Sequence, residues 1–538
     1  MTMLNTAYAI RPVALLVLSM AGFMAPMASA QQSLAPPAAP LVEPTLDIRR
    51  YLIDGNSPIS PAETEKLLAP FTGEQRALSQ IEQAAMALEK AMRDEGYVFH
   101  RVFVPVQKPK DGEVTLQIIQ FTIGTVNVSG NENFSTENIR RSLPTLVEGS
   151  VPDIREIGAD LTAANSNPSK HVTVTFRESA RPDSVDAVLK VKDAKPLTYF
   201  LGYTGNLPVN GRNPDDSISR ITGGVQHSNL FDLDHVGSFS YTTDPTKLDK
   251  VTLLGVYYQF PIYGRGLNFS AYYTSSDVNT GAAAPGGPDV TGRGQFFGVR
   301  LTKSLPRTGP LLQTVSVALD DKHFESNLPN TIPGLLDQNV GSRPLSVRYT
   351  FRREETWGGY GGNAEYAVNI DGGTSNNGAN YANQVLGPAE QKWQAWRFGL
   401  DGSYKVSNWL YSGRFRGQLS TNSLISGEKF SLGGVNSVRG FADAKVRGDY
   451  GYLWNFEALG PEMFAPQLRP LLFMDGGQAK SNGILSGVGE DLLSVGGGLR
   501  WAYEKMDFSA DLAFVLKAET GSPISNPIRL HLSAFYRF

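Results

Sequence analysis

The sequence predicts two small α+β modules followed by an antiparallel transmembrane β-barrel of about sixteen strands. Three observations carry this. From Leu197 to Phe538 helical periodicity is absent and apolar and polar residues alternate with period two. Residues 46–194 hold two successive units with one order of elements, strand, helix, helix, strand, strand. The one long apolar run stands near the N-terminus, so any membrane crossing falls to strands, whose signal per segment is weak.

At the N-terminus, Arg11 precedes the uncharged run from Val13 to Met24, and Ala28-Ser29-Ala30 supplies the small residues of a cleavage site. Residues 1–30 are therefore expected to be a cleaved signal peptide. The run is shorter than the roughly 20 residues a spanning helix needs, and Pro26 follows it. Residues 31–45 carry Pro36, Pro37, Pro40 and Pro44, which suit an extended linker and not a helix.

The first module, 46–121, opens with a strand at Leu46–Ile53 and a helix at Pro61–Ala69. A longer helix is expected over Glu74–Glu95, where Leu78, Ile81, Ala85, Leu88 and Met92 recur at helical spacing. Strands at Tyr97–Pro105 and Glu113–Phe121 close it around the turn Lys108–Gly112. The second, 122–194, repeats the plan: Thr122–Val128, helices at Thr136–Ser142 and Pro152–Ala164, then strands Lys170–Arg177 and Ser184–Lys192. This order resembles polypeptide-transport-associated (POTRA) domains, and Val126-Asn127-Val128-Ser129-Gly130-Asn131 is similar to their first strand and turn. Such modules expose a strand edge that can accept an extended segment by β-augmentation. The edge expected to dock one is that of Lys170–Arg177, with Val172, Val174 and Phe176.

Beyond residue 195 each strand declares two faces. Ile528, Leu530, Leu532, Ala534, Tyr536 and Phe538 oppose Arg529, His531, Ser533 and Arg537. Phe508, Ala510, Leu512, Phe514 and Leu516 oppose Asp507, Ser509 and Asp511; Tyr411, Phe415 and Leu419 oppose Arg414 and Arg416; Leu345, Val347, Tyr349 and Phe351 oppose Arg348 and Arg352. A filled sandwich core could not hold that many charges, whereas a wet lumen can, and aromatics on the apolar face suit interfacial girdles. Closure removes the exposed edges of so long a sheet. The connections Asn279–Gly294, Phe324–Gly341 and Asp371–Glu390 are expected to be long extracellular loops.

Between strands Leu410–Ser420 and Tyr450–Leu459 lies a connection longer than ordinary loops, 421–449, carrying Val438-Arg439-Gly440-Phe441. Downstream, Phe473-Met474-Asp475-Gly476-Gly477 occupies a strand on which Leu472 and Met474 would face lipid, leaving Phe473 and Asp475 in the lumen. Together the loop tip and the Phe-x-Asp-x-Gly strand resemble the two-partner secretion transporters, the hemolysin-secretion and filamentous-haemagglutinin transporter family of the barrel-assembly superfamily. The resemblance implies an outer-membrane location, periplasmic POTRA domains and a sixth extracellular loop folded into the lumen, with Arg439 at its tip against Asp475. It also implies that the terminal aromatics Tyr536 and Phe538 form a signal read by the barrel assembly machinery. Phe441 departs from the more common tyrosine, and the proline-rich linker gives no basis for the plug helix of some members.

The implied function is ATP-independent export of a large partner protein of adhesin, cytolysin or toxin type, through a barrel surrounded by outer-membrane lipids. The net charge of −3 gives no electrostatic case for nucleic acid, and the absence of cysteine excludes disulfides and cysteine metal sites. No phosphate-binding loop, His-Glu-x-x-His or Gly-x-Ser-x-Gly occurs, and the histidines show no metal spacing, so neither catalysis, nor a metal, nor a cofactor is expected. Two alternatives stand beside export. A barrel-assembly factor would share the arginine loop but usually has more POTRA modules; a passive porin needs none.

Overall fold

In the computed structural model, residues 44–538 are described except for 210–217, 246–251, 277–280, 283–284, 286–288, 291–292, 308, 326–338, 385–387, 484–488 and 518–527. The signal peptide and all but the last two residues of the linker fall outside these, as do parts of the long loops at 279–294, 324–341 and 371–390.

The first module contains β1 (Thr45–Ile48), β2 (Arg50–Asp54), α1 (Pro61–Leu68), β3 (Gly73–Ala77), α2 (Leu78–Asp94), β4 (His100–Phe103) and β5 (Glu113–Gln120). Ser60 caps α1, accepting from the Glu63 amide, and Pro61 starts it. Ile81, Ala84, Ala85, Leu88 and Met92 of α2 pack on Val114, Leu116 and Ile118 of the sheet β2–β5–β4. Two expected elements are corrected. The single strand expected over Leu46–Ile53 is two, β1 and β2, which break at Arg49 and join different sheets. The long helix begins at Leu78, and Gly73–Ala77 is a strand paired with β1. Gln75 takes a left-handed φ of 52° and donates its amide to Asp47, so the chain there cannot be helical.

The second module holds β6 (Thr122–Ser129), α3 (Thr136–Arg141), α4 (Ile154–Ala164), β7 (Lys170–Glu178) and β8 (Ser184–Asp193). Its sheet runs β6–β8–β7, so β7 is an edge strand. Ser135 and Asp153 cap the two helices, which cover Ile123, Val172, Ala187 and Leu189.

Sixteen antiparallel strands then close on themselves: β9 (Leu197–Pro208), β10 (Ile218–Leu230), β11 (His235–Thr243), β12 (Thr252–Ile262), β13 (Leu267–Ser276), β14 (Gly294–Ser304), β15 (Leu311–Phe324), β16 (Pro344–Glu355), β17 (Gly358–Asn369), β18 (Gln394–Val406), β19 (Trp409–Leu419), β20 (Tyr450–Leu459), β21 (Leu468–Lys480), β22 (Gly489–Tyr503), β23 (Met506–Lys517) and β24 (Ile528–Arg537). The last pairs with the first from Arg529↔Pro208 to Arg537↔Phe200. Leu345, Val347, Tyr411, Leu472, Phe514 and Leu516 are exposed on the outside, while Asp475, Asp511 and His531 on alternate positions are buried inside.

Candidate functional site

Residues 420–449 fold into the barrel between β19 and β20, the eleventh and twelfth barrel strands. A short hairpin, Phe430–Leu432 against Val446–Gly448, forms the stem. Beyond it the chain turns at Gly433, Gly434 and Gly440, all left-handed. Gly440 is tied to its conformation twice. Its φ is 92°, and an added Cβ would sit 3.1 Å from Val515 on the wall.

The tip meets a belt of side chains at one level of the wall. Register aligns Asn455 with Asp475, Asp475 with Ser494, Asp511 with His531, and His531 with Asn206. Arg439, 3 % exposed, reaches Asp475 in the fork geometry that favours guanidinium: Nε to Oδ2 at 2.7 Å and Nη2 to Oδ1 at 2.8 Å. Its Nη1 also lies 2.8 Å from Glu457 and 3.2 Å from Asp511, and Arg500 in turn pairs with Asp511 at 2.5 Å. The guanidinium stacks on Phe473, 3.6 Å above the ring centroid. Gly477, the third residue of the wall motif, leaves room for the stem: a Cβ there would meet Leu432 at 2.8 Å.

The tip backbone is held separately. Gly440 donates its amide to His531 Nε2 at 2.9 Å, and Asn206 donates to the Phe441 carbonyl at 3.2 Å. Asn455 bridges the Ser437 carbonyl and Asp475. Val438 and Phe441 bury themselves among Leu432, Val446, Leu453, Leu492 and Val515. That apolar surrounding is where a phenylalanine in place of tyrosine loses nothing.

A second anchor lies toward the extracellular side. Glu428, in the descending limb of the loop, accepts from Lys322 (3.0 Å), Ser342 (2.7 Å) and Arg397 (2.7 Å) of the wall. Asp449, fully buried, accepts from Lys429, the Leu424 amide and the Asn482 amide. Leu424 and Ile425 pack with Phe324, Val340, Tyr381 and Trp393, the tyrosine from the short helix Gly378–Ala382 of the preceding loop.

The residues singled out from sequence are thus distributed as follows. Val438, Arg439, Gly440, Phe441, Phe473, Asp475 and Gly477 meet in one place. Val172, Val174 and Phe176 lie on β7 but point inward, packing in the core of the second module, and the Phe176 ring also meets Phe99 of the first at 4.7 Å. The outward residues of that edge are His171, Thr175 and Arg177. Tyr536 and Phe538 are exposed at the periplasmic end of the closing strand, their rings 4.7 Å apart, and the Phe538 amide donates to the Tyr199 carbonyl. Asp511, Glu457, His531 and Asn206 carried only a luminal parity signal or none. Glu428 and Asp449 carried none, since a charged loop residue looks solvated until its wall partners are known.

A closed barrel fed by two POTRA modules, with an arginine loop turned into its lumen, defines a class of outer-membrane transporters. Residues 186–501, more than half of the chain, match the family described as Haemolysin secretion/activation protein ShlB/FhaC/HecB, and residues 46–120 match the POTRA domain, ShlB-type. The chain belongs to that family. It is 21 % identical over 447 residues to Outer membrane transporter CdiB of Dickeya dadantii, covering 81 % of this chain and 76 % of that one. It is 20 % identical over 502 residues to Heme/hemopexin transporter protein HuxB of Haemophilus influenzae, covering 88 % and 82 %. The solved structure of CdiB from Escherichia coli superposes with a TM-score of 0.75 at 17 % identity, over 94 % of this chain and 93 % of that one. The protein is accordingly an outer-membrane barrel of the two-partner secretion type with its POTRA modules in the periplasm.

Proposed function

We propose that the chain exports one large partner polypeptide, of adhesin, cytolysin or toxin type, from periplasm to cell surface, and that it does so without ATP. The observation that carries this is the position of Arg439: a loop tip buried inside the barrel and held by ion pairs that can exchange supports a reading in which this loop is the element that moves. The partner arrives unfolded and adds a strand to the β7 edge through backbone hydrogen bonds, with His171, Thr175 and Arg177 as the outward side chains beside it. It then passes the displaced loop, and folding outside gives direction. The terminal aromatics hand the chain itself to the barrel assembly machinery during biogenesis.

The test is secretion of a partner sought as a long, repetitive exported protein in a neighbouring reading frame. Arg439→Ala and Asp475→Ala are each expected to impair its release while the barrel stays heat-modifiable on gels, and deletion of 122–194 is expected to abolish capture of the partner. Normal release by both point variants would refute the role given to the loop.

A further inference from the structure

The second module is joined to the barrel by a buried polar contact on the first periplasmic turn, between β10 and β11. Lys170, the first residue of β7, donates to Asp234 at 2.6 Å, and both side chains are sealed from solvent, 0 % and 1 % exposed. Asp234 also accepts from Tyr263 at 2.6 Å in the next periplasmic turn, and Lys170 also donates to Asn138 at 2.8 Å. Asn138 reaches across to the Asp232 carbonyl, and Ser135, the cap of α3, donates its hydroxyl to the Asp232 carboxylate. Asn167 donates to the Ser228 carbonyl at 2.6 Å, and the hydroxyls of Ser169 and Ser228 lie 2.5 Å apart.

The turn itself is strained. Phe231, Asp232 and Asp234 all adopt left-handed backbone, with φ of 60°, 56° and 62°. That conformation is an outlier for a bulky residue such as Phe231, which is left 76 % exposed. Strain of this kind persists only where surroundings over-determine it. Here the surroundings are Asn229 of the turn itself, which donates to the Asp232 carboxylate and accepts from the Asp234 amide, and the second module's Ser135, Asn138 and Arg141, which grip the Asp232 carboxylate and carbonyl from the other side. An apolar interface of the same size could slide, whereas this one is satisfied at a single angle. Burial pulls the Lys170 ammonium below its usual range, with Asp234 acting against that pull, so the charge is held by its partner and not by water.

We propose that Lys170 and Asp234 are positioning residues for export: they fix the second POTRA module at one angle beneath the barrel, so that an extended polypeptide paired along β7 ends at the periplasmic rim. This deepens the export reading and rests on it for the polypeptide; the fixed angle stands on geometry alone. The joint predicts that transport proceeds with this module seated and that the moving part is the inward loop.

The chain has no cysteine, so introduced pairs are unambiguous. In the full-length protein, spin labels at Glu156 and Asn408 should report one narrow distance, broadened by Lys170→Met, which leaves Asp234 buried without its cation. Secretion by that variant should fall about tenfold or more with the barrel still heat-modifiable. Closing the joint covalently with Ser169→Cys and Ser228→Cys should leave secretion by the otherwise unchanged protein intact and restore it to the Lys170→Met background, the rescue disappearing on reduction. A purely structural role would not give that redox-dependent rescue. Loss of secretion on cross-linking, recovered by reductant, would overturn the proposal, as would full secretion by Lys170→Met with a broadened distance. An unmodified protein that exports nothing would instead remove the export reading, while the distance measurement still decides whether the angle is fixed.

Discussion

Asp475 holds Arg439 by three hydrogen bonds from one residue: both sides of the guanidinium fork and the Arg439 backbone amide, the last at 3.1 Å. Side chain and main chain of the loop tip therefore share one carboxylate. The tip cannot leave by a rotamer change alone.

The first prediction concerns charge. Arg439→Ala takes the shared cation from Asp475, Asp511 and Glu457, with Arg500 still on Asp511, and should cost about 3–5 kcal/mol of loop docking. Arg439→Lys should not rescue it, since an ammonium cannot reproduce the fork or stack on Phe473 in the same way. The measurement is thiol labelling of Ser437→Cys, half-buried beside the tip where its hydroxyl accepts from the Gly433 amide: labelling faster than in the otherwise unmodified loop is expected in both variants, and unchanged labelling with lysine would count against a geometric role for the fork.

His531 and Asn206 give the second. They stand on the last and first barrel strands, and both bind the tip backbone, so the docked loop bridges the strand pair that closes the barrel. His531→Phe removes the acceptor of the Gly440 amide and should weaken docking by about 1–3 kcal/mol. Labelling at Ser437→Cys should fall between unmodified protein and Arg439→Ala.

Gly440→Ala should also release the tip. Left-handed backbone costs an L-residue about 1–2 kcal/mol, and the new methyl would press on Val515 at 3.1 Å. The barrel, which does not depend on the tip for its hydrogen bonds, should keep its melting temperature. A fall in that temperature equal to that of a core-strand variant would argue that tip and barrel fold as one unit.

The extracellular anchor should be separable from the tip. Glu428→Gln strips the carboxylate from Lys322 and Arg397 while leaving the Arg439 contacts untouched. Planar-bilayer recordings should show more frequent opening, with labelling of Ser437→Cys unchanged. Unchanged conductance would mean that the cap of Leu424, Ile425, Tyr381 and Trp393 closes the outer mouth without help from Glu428.

Much of this molecule could be read from its residues in order. Strand number, the faces of each strand, and the luminal parity of Phe473 and Asp475 are local properties, because side chains alternate at every step and membrane and lumen sort them oppositely. The start of α2 was less legible. Glu74–Ala77 could extend a helix by composition, and only pairing with Thr45–Ile48 makes it a strand.

The sequence by itself thus determined the two modules, the barrel and the loop motif with its acid, since each is written within one strand or one connection. Tertiary structure alone decided that Asp511, Glu457, His531 and Asn206 share that site, that Glu428 is an anchor, and that Lys170 seats on Asp234. Asn206 and Phe441 are 235 positions apart, and nothing local records such a contact. Closing the barrel sets the register of every strand against the next, and that shared register is what carries distant residues to the same height on the wall.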